Sequence, residues 1–227
     1  MTRTLLLCFL LLVPIFAHYS SSSSESCEDG NGGRPGGGRP GGRPGNGGGQ
    51  NGGCDNGWRR FNRPSGGWCI RVFEGRLNRP NAESQCRSYG ATLSGIQNFE
   101  ESKYITSQAI RVVTSQATTS VWIGAQRTAA CNRQGLTASC TPQNSFQWTD
   151  GSTTGTAGFV WDYKQPDNAH NRAQNCVVAL AAPTSSVQVG SVSWQTNYLD
   201  DTDCSLVSNT ATPRAVLAYV CGKRPRR

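Results

Sequence analysis

Ten cysteines in a chain of 227 residues set the first constraint on its fold. They need a compartment that keeps them oxidised, and the chain opens with the means to reach one. Thr2-Arg3-Thr4 gives a positive start, residues 5–16 are continuously apolar, and Ala17 is a small residue suited to cleavage. The apolar run is too short to span a bilayer, so residues 1–17 are expected to be a secretory signal peptide. Cys8 leaves with that signal. Nine cysteines then remain, and in an exported chain they read as a disulfide framework whose connectivity cannot be deduced from spacing alone.

Composition divides the rest of the chain. Residues 18–53 hold a serine run and then repeated Gly-Arg-Pro units with almost no apolar side chain. Such a segment has nothing to bury and is expected to be a disordered tether. Gly36-Gly37-Gly38 breaks the strict period that collagen needs. Apolar periodicity begins at Cys54, and residues 54–222 are long enough for one core. Residues 223–227 form a basic tail. The formal charge of +8 does not call for nucleic acid. Arg34, Arg39 and Arg43 in the tether and Lys223, Arg224, Arg226 and Arg227 in the tail account for the excess left once the signal is removed, so the folded part is near neutral. No later stretch is apolar enough to cross a membrane, and the protein is expected to be secreted.

Within the folded part, Trp68-Cys69-Ile70-Arg71-Val72-Phe73 reads as a strand. Asn78 caps a helix that Gly90 ends, with Ala82, Cys86 and Tyr89 on its buried face. Asn98 caps a second helix with Glu101 at capping-box spacing and Ile105, Ala109 and Val112 as its stripe. Val121-Trp122-Ile123-Gly124-Ala125, Phe146-Gln147-Trp148, and residues 176–180, 192–194 and 216–221 read as further strands. Trp122, Trp148 and Trp161 are expected core residues. Two early helices followed by short strands predict an α+β domain. Residues 149–175 lack periodicity, and a long irregular loop inside a compact domain is usually functional. It holds Gln165-Pro166-Asp167, a proline between two oxygen-bearing side chains. Asp200-Asp201 and Asp203 follow farther on, and the set reads as a loop-built site for a hard cation.

From Cys54 to Cys221 the chain resembles the C-type lectin-like domain family in its long form. The matching pieces occur in order: Cys54, Trp58 and Cys69 of an amino-terminal hairpin; Cys86 in the first helix; Trp122-Ile123-Gly124; Phe146-Gln147-Trp148-Thr149-Asp150-Gly151-Ser152; Trp161 leading into Gln-Pro-Asp; then Cys176, Cys204 and Cys221. The resemblance implies the family's fold, two helices on short antiparallel strands with a long irregular loop, stabilised by disulfides. It also implies the pairings Cys54–Cys69, Cys86–Cys221 and Cys176–Cys204. Cys131 and Cys140, in a local insertion, are left to pair with each other. Cys27 is then odd, which suggests a bridge to a second copy and a disulfide-linked homo-oligomer; a capped or unpaired thiol is the alternative.

For the site, the resemblance implies a cis peptide before Pro166 and calcium as cofactor, with Gln165, Asp167, Gln174, Asp200 and Asp201 as its oxygen ligands. Gln174 stands where the family has glutamate, and Asp200 where it has asparagine. Neighbouring sugar hydroxyls would bind the ion and the same side chains, with Gln165, Asp167, Gln174, Asp200 and His170 at the sugar. The Gln-Pro-Asp order resembles galactose-type sites, so galactose or N-acetylgalactosamine is the expected glycan. His170 offers the only ring shortly after the motif, and as a metal ligand or base it reads as an ordinary surface histidine. No nucleophile–base–acid set or phosphate loop is present, so no enzyme activity is expected. The leading expectation is a secreted, calcium-dependent carbohydrate-binding protein with a recognition or immune role. The alternative is an extracellular matrix or protein-binding module that uses the fold without calcium or sugar.

Overall fold

A computed structural model describes residues 52–226. The expected signal peptide, nearly all of the tether, Cys27 and Arg227 lie outside the described residues. In chain order the elements are β1 (Arg59–Arg63), β2 (Gly66–Glu74), α1 (Arg79–Ser88), β3 (Thr92–Leu93), α2 (Phe99–Val112), β4 (Thr119–Arg127), β5 (Phe146–Trp148), α3 (Ala169–Arg172), β6 (Cys176–Ala181), β7 (Ser186–Val189), β8 (Val192–Gln195), β9 (Leu199–Thr202) and β10 (Val216–Lys223). The main sheet runs β1-β2-β10-β4-β6-β9, with β3 on β10 and β5 on β4, while β7 and β8 form a separate hairpin. The sheet is not wholly antiparallel, because β10 and β4 pair in parallel.

Both helices start as their caps dictate. The Asn78 side chain accepts from the Asn81 amide at 2.9 Å, and the Asn98 side chain accepts from the Glu101 amide at 3.0 Å. Each satisfies one orphan donor of a first turn. The Glu101 carboxylate does not return to Asn98 as a capping box would. It accepts from the Gln97 amide at 2.9 Å and pairs with Arg63 at 2.7 Å.

The helices cover opposite faces of the sheet. Along β4, Val121, Ile123 and Ala125 join the core that includes Ile105 and Ala109 of α2, while Trp122 joins the core that includes Ala82 and Cys86 of α1. In β6, Val177 and Ala179 face α2, and Val178 faces α1. Successive side chains of a strand point to opposite faces, so strands buried on both read as continuous apolar runs. Gly124 sits where a Cβ would run into the Leu93 carbonyl. Tyr89, expected on the buried face of α1, is 43% exposed and stacks on Phe73 at 4.7 Å instead. Trp122 is fully buried, whereas Trp148 and Trp161 are only partly buried against the core.

Arg63, on edge strand β1, reaches inward. Its Nε and Nη2 donate to the two Glu101 carboxylate oxygens at 2.9 and 2.7 Å, Nη1 donates to Asp150 Oδ2 at 2.9 Å, and Nη2 also donates to the Gly95 carbonyl at 2.9 Å. The side chain is 0% exposed. One guanidinium thereby ties β1 to α2 and to the Asp150 turn.

The disulfides are Cys54–Cys69, Cys86–Cys221, Cys131–Cys140 and Cys176–Cys204, the four pairings expected. The second closes a separation of 135 residues, for which the chain-entropy model gives about 4 to 5 kcal/mol. The two ends of the domain also meet, since the Arg226 amide donates to the Gly53 carbonyl at 2.8 Å.

Candidate functional site

The irregular loop is lashed to edge strand β9. The Asp162 amide donates to the Leu199 carbonyl, and the Leu199 amide to the Val160 carbonyl, each at 2.9 Å. Asp162 Oδ2 accepts from the Gln195 amide at 2.7 Å and so holds the β7–β8 hairpin beside the loop. The Gln165–Pro166 bond is cis, as the resemblance implied. Asn168 is fully buried and acts as a hub: its Nδ2 donates to the Gln134 carbonyl at 3.0 Å, and its Oδ1 accepts from the Gln174 amide at 2.9 Å. Asn168, His170, Asn171 and Arg172 all have φ between 49° and 64°. Left-handed backbone costs residues with a side chain about 1 to 2 kcal/mol each, so the surrounding bonds must hold this turn in place.

Asp200 and Asp201 lie on strand β9, not on a loop, and this decides their chemistry. Asp200 is paired with Val178 and Asp201 with Val177, so their side chains leave on opposite faces of the sheet. Each meets its own arginine. Asp201 is 0% exposed and pairs with Arg127. It also accepts from the amides of Asp167 at 3.0 Å and Asn168 at 2.9 Å. Arg127 in turn donates to the Gln174 and Gln134 carbonyls at 2.9 and 3.1 Å and stacks 4.5 Å from the Phe146 ring centre. Asp200 pairs with Arg214, whose guanidinium lies 3.5 Å from the Trp194 ring centre.

Burial pushes the Asp200 carboxyl up to about 6. Burial, then the neighbouring Asp200 charge, pushes Asp201 up to about 7, while the guanidinium beside each pulls the other way. The ordinary aspartate value is about 3.9. A carboxyl whose folded value is raised contributes stability that is fully present below about pH 4. That share is lost as pH rises through 6 and 7. Carbon-detected NMR titration should therefore place the two midpoints near 6 and 7. Midpoints near the ordinary value would contradict this assignment.

Gln165, Asp167, Gln174, Asp200 and His170 line one cleft of about 400 Å³, together with Tyr163, Lys164, Ala169, Val192, Trp194 and Arg214. Asp201 is not among the lining residues; it is sealed behind the loop. Sequence reasoning missed the aromatic wall, because Trp194 arrives from the separate β7–β8 hairpin and Tyr163 precedes the motif. It also missed both arginines. Arg127 ends an apolar strand and Arg214 lies in a polar stretch, and nothing in either local pattern marks a partner.

Calcium takes six to eight oxygens. The five expected ligands gather at this loop, and buried Gln174 Oε1 has no hydrogen-bond partner among the described residues. As arranged, however, they do not fit a calcium shell. Asp201 already accepts from three donors, Asp200 is neutralised by Arg214, and Gln165 Oε1 accepts from the Asp167 amide at 3.0 Å. Among the described residues no group of three or more His, Cys, Asp or Glu is placed to hold a metal ion.

A family model described as C-type lectin domain-containing protein 141/158 matches residues 59–224. The versican core protein of Homo sapiens is 30% identical over 126 residues, 56% of this chain and 3% of its own length. A snaclec chain of Philodryas olfersii is 30% identical over 107 residues, 46% of this chain and 56% of its own. The chain thus spans a small fraction of the first relative and about half of the second. Among solved structures, the C-type carbohydrate-recognition domain of cow CD23 aligns over 75% of this chain and 95% of its own, at 18% identity and a TM-score of 0.48.

Proposed function

The chain belongs to the C-type lectin domain-containing protein 141/158 family, and on that premise we propose that it is an extracellular carbohydrate-binding module that holds a neutral sugar directly in the loop cleft. One observation carries this reading: the cleft gathers an amide at Gln165, carboxylates at Asp167 and Asp200, and the rings of Trp194 and Tyr163. Sugars need just this pairing of hydroxyl partners with an apolar ring. The amide-then-acid order around Pro166 makes galactose and N-acetylgalactosamine the first sugars to test. Arg127 and Arg214 already occupy the Asp201 and Asp200 carboxylates, and on this reading sugar binding does not wait for a metal. Four disulfides fit an oxidising, extracytosolic compartment, and among the described residues no helix is long and apolar enough to cross a membrane.

A glycan array run with and without chelator tests this. Binding to galactose-terminated glycans should survive chelation, and millimolar calcium should leave the melting temperature unchanged. A saturable rise in melting temperature with calcium would show the ion displacing Arg214 from Asp200, and would return the site to an ion-centred mechanism. Single-site affinity is expected to be weak, and joining copies through Cys27 would raise avidity; a non-reducing gel showing monomer alone removes that part.

A second reading has its own observation. Tyr163 is 81% exposed and Val192 48% exposed at the cleft rim, and exposed aromatic side chains are common anchors for protein partners. An array blank for every glycan would favour this protein-binding module.

A further inference from the structure

Cations gather at the corner of the fold where β1, β2 and β10 meet. In the antiparallel ladders, Arg60 of β1 and Lys223 of β10 both stand opposite Cys69 of β2, and Arg71 of β2 stands opposite Cys221 of β10. Residues directly opposite in such a ladder share a face of the sheet, and Cys69 and Cys221 lie on the face that α1 covers. The three cations therefore leave on one face, with the Arg60 and Lys223 backbones about 10 Å apart at the usual strand spacing. Beside them opens a cleft of about 250 Å³, whose lining includes Asp55, Tyr89, Lys223, Arg224 and Arg226. Arg60, Arg71, Arg224 and Arg226 are exposed, and Tyr89 is 43% exposed, so a partner can touch them from solvent.

The charge at this corner is one-sided. Asp55 is the single acid in the cleft lining, and it already pairs with Lys223 at 2.7 Å and Arg226 at 2.8 Å. Glu83 of α1 is paired with Arg87. Glu74 of β2 stands opposite Ala218, a residue of the α2-side core, and so leaves on the other face. Among the described residues no acid lies within ion-pair distance of Arg60, Arg71 or Arg224. Rings hold two of the cations in place: Lys223 Nζ lies 4.4 Å from the Trp58 ring centre, and the Arg71 guanidinium 4.8 Å from that of Phe73. Guanidinium groups are weakly hydrated forks that match the paired oxygens of an oxyanion. Cations set in a row across three strands and along a cleft suit a linear polyanion better than a flat one. Four disulfides fit an oxidising compartment outside the cytosol, where the linear polyanions are acidic polysaccharides and not nucleic acids.

We propose that Arg60, Arg71 and Arg224, with Lys223 and Arg226, form a binding surface for a sulfated polysaccharide. The loop cleft belongs to the opposite, β9 side of the sheet, so a chain held to a sulfated matrix by this corner keeps that cleft open. The proposal rests on the extracellular reading of the chain and not on its sugar-binding reading.

Surface plasmon resonance of the full chain on immobilised heparin is the test. Binding should be measurable at physiological salt and lost at about 1 M salt, where the screening length falls to about 3 Å, and heparin stripped of its sulfates should not bind. Arg60→Ser, Arg71→Ser and Arg224→Ser combined in one chain should weaken binding about tenfold. Asp55→Asn should tighten it, a change that loss of folding does not imitate. Arg34→Ser, Arg39→Ser and Arg43→Ser combined in another chain should keep most of the affinity, which separates this corner from the arginines that precede it in sequence. The surface is overturned if the unmodified chain does not bind heparin, if affinity falls only with Arg34, Arg39 and Arg43, or if both the corner variant and Asp55→Asn bind like the unmodified chain. Phosphatidylserine vesicles bound as tightly as heparin would overturn it in favour of a membrane surface. A galactose array that stays blank alters none of these outcomes.

Discussion

Arg63→Met is expected to lower the melting temperature by about 10 °C. The guanidinium is buried between Glu101 and Asp150. Removing it leaves two buried carboxylates without the cation they share. Breaking a buried pair by deleting one partner costs about 3 to 5 kcal/mol, and each kcal/mol moves the midpoint of a domain this size by about 2 to 4 °C. The loss reaches three elements together, since Arg63 joins β1, α2 and the Asp150 turn. Thermal unfolding followed by circular dichroism measures it. A change of no more than about 2 °C would mean that the carboxylates find other donors and that Arg63 is replaceable.

Arg127→Met should be comparably severe, but with a signature at the site. Asp201 would keep its two backbone donors and lose its cation, and the carbonyls of Gln134 and Gln174 would lose theirs. The loop that builds the cleft should then open to proteolysis, and ligand binding should fall with it. Adding Asp201→Asn to the same chain removes the stranded charge. The double variant should recover a large part of the lost stability, giving a coupling energy of about 0.5 to 3 kcal/mol. Simple additivity of the two substitutions would show that the pair does not organise the loop.

These two arginines mark the limit of what the linear chain reveals. The helices were legible because their determinants are local: Asn78 and Asn98 sit next to the turns they cap. The central strands were legible because the middles of β4, β6 and β10 are buried on both faces and therefore apolar. Strand β1 was not legible in its own residues, since Arg59–Arg63 carries one apolar side chain, Phe61, and its place depends on pairing with β2; only the family resemblance put a hairpin there. Strand β9 read as an acidic loop for the same reason. The loop motif was visible in Gln165, Pro166 and Asp167. The neutralisation of Asp200 and Asp201 was not, because Arg127 lies 74 residues from Asp201 in sequence, and only the folded chain brings them together. Trp194 was legible as a strand residue, but its position beside the cleft depends on the bond from the Gln195 amide to Asp162.

The hydrogen bond between Arg226 and Gly53 has an engineering consequence. The domain's first and last described backbone segments run side by side there, while β1 and β9 form opposite edges of the main sheet. The cleft belongs to the β9 side. A host protein could carry the whole unit spliced into a surface turn, with both splice junctions side by side at one place. The loops that build the cleft would then stay clear of the host, and the unit would serve as a portable cassette whose attachment geometry is already closed.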